Sequence, residues 1–174
     1  MFRIEKCTVL DKTLLADYSK AGNYTDCYTT YVQGKVSFPE FIFAFYTTPL
    51  FKLERLILKF TVARPSTDLQ AKQLAEGLSG NFAAWHVEKR NENEILMCDL
   101  VSRTRSWLMA VPTHDTSQTR LYFGSAVVPR QNMKVEELSL EFGLRALLGF
   151  HQIYSVFLLS SARSRLLRQK SYIR

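Results

Sequence analysis

One histidine, His151, lies inside the longest stretch of the chain without a formal charge, Ala146 to Ala162. If that stretch is a helix, Tyr154, Ser155 and Leu158 follow one or two turns later on the same side as His151. A histidine and a tyrosine in the wall of a cavity can hydrogen-bond a ligand or transfer a proton. A core histidine bonded to a backbone carbonyl is the alternative interpretation, and both stay open.

Arg105 is the second residue whose position suggests chemistry. By strand alternation Arg103, Arg105 and Trp107 share one face of a strand, and Asp99 lies across the expected hairpin. A guanidinium beside an indole can donate two parallel hydrogen bonds to an anionic ligand against an apolar wall. The alternative is an ion pair between Asp99 and either arginine on the sheet surface, which contributes about 1 kcal/mol or less.

Five large apolar side chains fall on one face of the predicted sheet when period-two alternation is applied within each strand. They are Trp85, Met97, Trp107, Met109 and Phe123. Aromatic and methionine side chains on such a face suit either an apolar ligand pocket or a packed core. Together with Arg105, His151, Tyr154 and Leu158 they form the predicted ligand-binding set.

The sequence contains none of the short motifs typical of phosphate, zinc or nucleophile-elbow sites: no G-x-G-x-x-G, P-loop, H-E-x-x-H, C-x-x-C or G-x-S-x-G. The three histidines, His86, His114 and His151, are far apart, so their spacing predicts no metal site. We therefore predict neither a metal nor a cofactor. Whether the protein is an enzyme stays undecided, because no catalytic motif is found.

A sheet must position most of these residues. Tyr24 to Gln33 is rich in aromatic and β-branched residues and is followed by Gly34, which predicts a strand. Turn-forming residues divide the second half of the chain into two hairpins, so their strands should be antiparallel neighbours. These four predicted strands are Phe82 to Arg90, Glu94 to Ser102, Thr104 to Pro112 and Thr119 to Pro129.

Helices are predicted on both sides of this strand-rich region. Ser37-Phe38-Pro39-Glu40 is a capping box that starts a helix, which must end before Pro49. A second amphipathic helix is marked by Leu50, Leu53, Leu56, Ile57 and Phe60, and a third by Asp68 to Glu76. The closing helix, Leu140 to Gln169, is apolar over more than half its circumference and should be buried on most sides.

The 174 residues fit one domain, with a core at 20–165 and a basic tail at 166–174. The formal net charge is +7, and a cluster of cations lies near the end: Arg163, Arg165, Arg168, Lys170 and Arg174. Cations there also complement a helix dipole, so the charge is no strong signal for nucleic acid. Oligomeric state is not predicted.

Three widely spaced cysteines, Cys7, Cys27 and Cys98, indicate neither a disulfide framework nor a zinc site. We interpret them as small buried apolar residues in a reducing compartment. The first residues carry too many charges for a signal peptide, which favours a cytoplasmic location. Ala146 to Ala162 includes polar residues and is too short for a transmembrane span, so none is predicted.

The order of elements is a strand, two helices, a run of antiparallel strands and one long C-terminal helix. This order resembles that of the START-like (SRPBCC, helix-grip) superfamily, and it is similar to an uncharacterised bacterial branch of that group. Three segments carry the resemblance: Phe41 to Leu58, WHVEKRNENEILMCDLVSRTRSWLM and TRLYFGSAVVP. The resemblance implies an α+β helix-grip fold, with a curved antiparallel sheet wrapped around the C-terminal helix and a cavity between them. It implies no activity, because that superfamily shares no catalytic residues.

From these observations we predict binding of a small hydrophobic or aromatic molecule in a cavity between the sheet and the C-terminal helix. One alternative is a cyclase or dehydratase type of enzyme that uses the same cavity. In that hypothesis His151 or Tyr154 is the general acid or base and Arg105 polarises a carbonyl or enolate. A second alternative is a protein-interaction or membrane-peripheral domain that uses the basic tail.

Overall fold

A computed structural model describes residues 3–53, 55, 66–114, 117–128 and 141–171, with side chains in the last range described for residues 152–169. Within these ranges the centre of the fold is a seven-stranded antiparallel sheet in the spatial order β1-β2-β7-β6-β5-β4-β3. The strands are β1 (Glu5–Lys6), β2 (Tyr24–Gln33), β3 (Asn81–Phe82), β4 (Trp85–Arg90), β5 (Glu94–Asp99), β6 (Thr104–Pro112) and β7 (Gln118–Val127). The long strand β2 pairs with the last strand β7 over its whole length.

The strand predictions are largely confirmed. Tyr24 to Gln33 and Thr104 to Pro112 have the predicted ends. The predicted strand Phe82 to Arg90 is divided into β3 and β4, because Ala83 between them adopts a left-handed backbone with φ of 53°. Strand β5 ends earlier than predicted, at Asp99, whose carboxylate accepts the backbone N–H of Arg103 at 2.7 Å in a turn.

Four helices have defined bounds: α1 (Ala16–Lys20), α2 (Phe38–Tyr46), α3 (Asp68–Ala75) and α4 (Glu141–Ser171). The capping box at the start of α2 is confirmed, since the Ser37 N–H donates to the Glu40 carboxylate at 2.7 Å and the Ser37 hydroxyl accepts from Glu40. An unpredicted second capping box, Thr67 with Gln70, starts α3. Residues 49–53 and 55 are also helical, whereas Leu56, Ile57 and Phe60 lie outside the described residues.

Helices α2 and α4 pack against one face of the sheet and against each other. Their shared core includes Phe45 and Phe123, whose ring centroids are 4.9 Å apart, and Leu158 of α4. The predicted closing helix is thus confirmed, and it continues into the predicted tail, where Leu166 is buried in the same core. The α+β class and the antiparallel sheet followed by a C-terminal helix are therefore confirmed.

The N-terminal segment covers the other face of the sheet. Leu15, just before α1, packs with Trp107 and Tyr122 in a second buried cluster. The Trp107 indole Nε1 donates to the carboxylate of Glu94 at 2.8 Å, and that carboxylate also accepts a backbone N–H of the N-terminal segment. Gly124 permits this close approach, because a Cβ there would lie 2.6 Å from Leu15 Cδ2.

None of the helices in the described ranges combines the length and the apolar character that crossing a bilayer requires.

Candidate ligand-binding groove

Helix α4 carries apolar side chains on two sides. Toward the sheet, Leu158, Leu159 and Leu166 are buried in the core. On the other side Ile153 is 59% exposed and Phe157 is 60% exposed. The prediction that this helix is buried on most sides is wrong for the side of Ile153 and Phe157. Contiguous apolar patches on a protein surface are often binding sites.

These exposed residues line a groove of about 970 Å³ between α4 and the helical residues 49–53. A volume of this size suits a small-molecule ligand. The lining residues are Pro49, Leu50, Leu53, Ile153, Tyr154, Phe157, Ser160, Ser161, Ser164, Arg165, Arg168 and Gln169. None of these residues belongs to a strand, so the groove runs along the outer side of α4 and not between the helix and the sheet.

The groove changes from apolar to polar along its length. Along α4, Ile153, Tyr154 and Phe157 line its first part, whereas three serines, two arginines and a glutamine line the part that follows. From Ile153 to Arg168 the helix advances about 22 Å, at 1.5 Å per residue. The groove is therefore long enough to hold an extended apolar chain at one end and a polar group at the other.

Arg165 is the fixed charge of the polar end. Its Nη1 donates to the backbone carbonyl of Thr47 at 3.1 Å, and its guanidinium carbon lies 5.7 Å from the centre of the Phe43 ring. Its Nε is buried without a hydrogen-bond partner among the described residues. Buried donors are nearly always satisfied in native proteins, so this guanidinium has unused capacity for an acceptor.

The wall opposite α4, residues 49–53, is held in place by a side-chain cap and by ion pairs. The hydroxyl of Thr48 accepts the backbone N–H of Phe51 at 3.1 Å at the start of this helical segment. Asp68 of α3 accepts hydrogen bonds from Lys52 at 2.5 Å and from Arg55 at 2.7 Å. Burial raises the pKa of Asp68, but the hydrogen bonds from Lys52 and Arg55 outweigh it and hold the pKa below its usual value. The ionised carboxylate thus ties the wall to α3.

The predicted ligand-binding residues do not assemble into one site. Met97, Phe123 and Leu158 lie in the core between the sheet and the helices, with Trp85 packed against them. Trp107 and Met109 belong to the cluster on the opposite face. The prediction that Trp85, Met97, Trp107, Met109 and Phe123 share one face is therefore wrong. The reason is the strand register. Leu108 pairs with Phe123 and shares its face, so Trp107 and Met109, which flank Leu108 in β6, lie on the opposite face.

Arg105 shares the face of Trp107, as predicted, but its partner is Glu88 and not Asp99. Its Nε lies 2.8 Å from the Glu88 carboxylate and 2.8 Å from the hydroxyl of Tyr18, which itself donates to Glu88 at 2.5 Å. Burial raises the pKa of Tyr18, and the bond to Glu88 raises it further. This network ties α1 to the sheet.

Among the predicted residues whose side chains the structure describes, Tyr154 lines the groove. Arg105 lies on the opposite face of the sheet, so these two residues do not converge on one reaction centre. His151 falls within α4, but its side chain lies outside the described residues. Three of the groove residues were not predicted from the sequence: Ser161, Arg165 and Arg168. They follow Phe157 at helical spacing, which a helical projection of α4 would have displayed.

No family model, curated protein or solved structure matches the chain. The geometry of the groove is therefore the basis for inferring a function.

Proposed function

We propose that the protein binds a small molecule with an apolar body and an anionic group in the groove between residues 49–53 and α4. The observation that carries this proposal is the exposure of Ile153 and Phe157 within a groove whose far end holds Arg165 and Arg168. The apolar body packs on the first pair, and the arginines bind a carboxylate or phosphate group. Arginine suits this role because its planar fork can donate two hydrogen bonds to one such group.

The small hydrophobic or aromatic ligand predicted from the sequence is retained in this proposal, and its place moves to the outer side of α4. We also propose that the chain is a START-like, helix-grip protein whose sheet curves around α4. The pairing of β2 with β7 and the contacts of α4 with both strands support that assignment. The ligand proposal does not depend on it.

The dipole of α4 acts against an anion near the helix end, since the last carbonyls are partly negative. That effect is confined to the last turn, and Arg165 precedes the end at Ser171 by more than one turn. The dipole therefore opposes an anion beside Arg168, which lies in the last turn, more than one beside Arg165.

The two alternative functions have less support. The enzyme hypothesis needs Arg105 in one cavity with His151 or Tyr154, and Arg105 lies on the face of the sheet opposite to Tyr154. The hypothesis of a basic surface that binds a membrane or another protein needs free cations. Arg163, just before the tail, instead donates to the backbone carbonyl of Tyr31 at 2.9 Å, which ties it to β2.

Isothermal titration calorimetry with decanoate and decanol tests the proposal, because the two probes share an apolar chain and differ in charge. We expect saturable binding of both and tighter binding of decanoate. Phe157→Asp should abolish binding of both probes, since it places a charge in the apolar end. Leu69→Asp is the matched control, because Leu69 is an exposed leucine of α3 that does not line the groove.

Two results would contradict the proposal. If neither probe binds saturably, the groove is not a site for this class of molecule. If both bind equally to the wild type and to Phe157→Asp, they bind elsewhere.

A further inference from the structure

Two of the three cysteines meet on the sheet, away from the groove. The backbone N–H of Cys7 donates to the carbonyl of Cys27 at 2.8 Å, which extends the pairing of β1 with β2. The two Sγ atoms are hydrogen-bonded at 2.8 Å. A disulfide has sulfur atoms about 2.05 Å apart, so the thiols need to approach by less than about 1 Å to form one. The interpretation of the cysteines as small buried apolar residues fits Cys27 and Cys98, which are buried, but not Cys7, which is partly exposed.

The two thiols have different surroundings. Cys27 is fully buried, whereas Cys7 is partly exposed near the edge of the sheet. The hydrogen bond with Cys27 lowers the pKa of Cys7, burial opposes this, and the charge of Arg120 lowers it further. The same hydrogen bond raises the pKa of Cys27, and burial adds to the increase. Cys7 is therefore the thiol that ionises first and the one that solvent reaches, which are the two properties of a reactive cysteine.

We propose that Cys7 and Cys27 form a reversible disulfide when the protein meets a hydroperoxide. The Cys7 thiolate attacks one peroxide oxygen, the O–O bond breaks, and Cys7 becomes a sulfenic acid while the leaving oxygen takes a proton to become water or an alcohol. The Cys27 sulfur then attacks the Cys7 sulfur, its proton passes to the departing oxygen, and water leaves as the S–S bond forms. With hydrogen peroxide, two thiols become one disulfide and two waters. A dithiol reductant reverses the step by exchange.

The disulfide acts on a weakly held part of the fold. Strand β1 has two residues and lies at the end of the strand order, so few backbone hydrogen bonds hold it. Between the two cysteines lies the segment that places Leu15 against Trp107. A covalent bond between Cys7 and Cys27 closes this segment into a loop and restricts its motion in the unfolded chain. The oxidised protein should therefore melt at a higher temperature than the reduced protein.

Intact-mass spectrometry of the full chain tests this directly. The protein is treated with hydrogen peroxide, denatured and alkylated with N-ethylmaleimide. We expect a loss of two hydrogen atoms and one adduct, on Cys98, whereas the reduced chain should take three, one for each cysteine. Peptide mapping without reductant should link Cys7 to Cys27. Three adducts after peroxide, or a link to Cys98, would overturn the proposal.

Variants test the order of the two steps. Cys98→Ser is the matched control, since Cys98 is a buried thiol whose described partners are Asp99 and Ser102, and it should still form the disulfide. In Cys27→Ser the sulfenic acid should persist on Cys7 and be trapped by dimedone. In Cys7→Ser, dimedone should label Cys27 about tenfold less, because Cys27 is buried and a buried thiol reacts slowly. If it labels Cys27 in Cys7→Ser as readily, the assigned roles are wrong.

Discussion

Helix α4 presents apolar side chains to two different surroundings. Toward the sheet, Leu158 and Leu159 are buried among side chains of α2 and the strands. Toward the groove, Ile153 and Phe157 are more than half exposed, and the wall opposite them is the short helical segment 49–53. The two sides carry similar residue types, so hydrophobicity alone does not separate them. The two sides differ in whether other parts of the chain cover them. The side that is left uncovered is the proposed binding site.

The largest expected difference between the two sides is in stability. Leu159→Ala should lower the free energy of unfolding by about 2 to 5 kcal/mol, because it leaves a cavity in the core. Phe157→Ala should lower it by no more than about 1 kcal/mol, because most of that ring is already in water. Urea denaturation of both variants measures the contrast. Equal losses would mean that the side of Phe157 is part of the core.

Ligand affinity, unlike stability, should depend on the groove side of α4. Phe157→Ala should weaken decanoate binding by about tenfold, since burying an aromatic side chain contributes ~1.5 to 3 kcal/mol and part of the Phe157 ring is already covered. Leu69→Ala removes an exposed leucine of α3 and should leave the affinity unchanged. Calorimetric titration of both variants measures the effect. A Phe157→Ala protein that binds as well as the wild type would show that the exposed ring is not a ligand contact.

The charged end of the groove should contribute less to ligand affinity than the apolar end does. Arg168→Gln should weaken decanoate binding by about threefold and leave decanol binding unchanged, because an exposed ion pair contributes about 0.2 to 1 kcal/mol. Raising the salt concentration should reduce the difference between the two proteins. The same titrations measure both effects. An equal loss for decanol would mean that Arg168 acts through packing and not through its charge.

The smallest effect concerns the wall of the groove. The pKa of Asp68 is lowered in the folded protein, so its stabilising contribution is present above about pH 3.9, the usual carboxyl pKa, and is lost as the pH falls toward the lowered value. Asp68→Asn should therefore lower stability at pH 7, by less than about 1 kcal/mol because the side chain of Asp68 is itself 43% exposed to solvent. Below pH 3.9 the difference from the wild type should shrink.

Urea unfolding over a range of pH values measures this difference for Asp68→Asn. Glu92→Gln is the matched control, because it removes an exposed carboxylate from the turn between β4 and β5, and its stability should follow that of the wild type. A difference for Asp68→Asn that persists unchanged to low pH would mean that charge is not what holds the wall.

Features set by neighbouring residues could be predicted from the sequence. The strand Tyr24 to Gln33 depends on local composition, and the capping box at Ser37 depends on residues three apart. The faces of Trp107 and Phe123 could not be predicted, because strand pairing sets the phase of one strand against the next. The pairing of Cys7 with Cys27 has the same origin, since it follows from the register of β1 on β2.

The groove was missed for a different reason. A helical projection separates Phe157 from Leu158, but it does not say which of them the rest of the chain covers. Coverage depends on where α2 and residues 49–53 lie around α4, which no local pattern contains. Leu50 and Leu53 were predicted to be apolar positions of a helix, but their use as a wall required the packed arrangement.

The most direct test is to locate a bound ligand with isoleucine methyl groups, because Ile153 lies in the groove whereas Ile42 and Ile95 are buried in the core between the sheet and the helices. Methyl NMR spectra are recorded on isoleucine-labelled protein during a titration with decanoate. We expect the Ile153 methyl signals to shift and saturate while those of Ile42 and Ile95 stay in place. Saturable shifts at Ile42 and Ile95 without one at Ile153 would place the ligand between the sheet and α4 and contradict the proposed site.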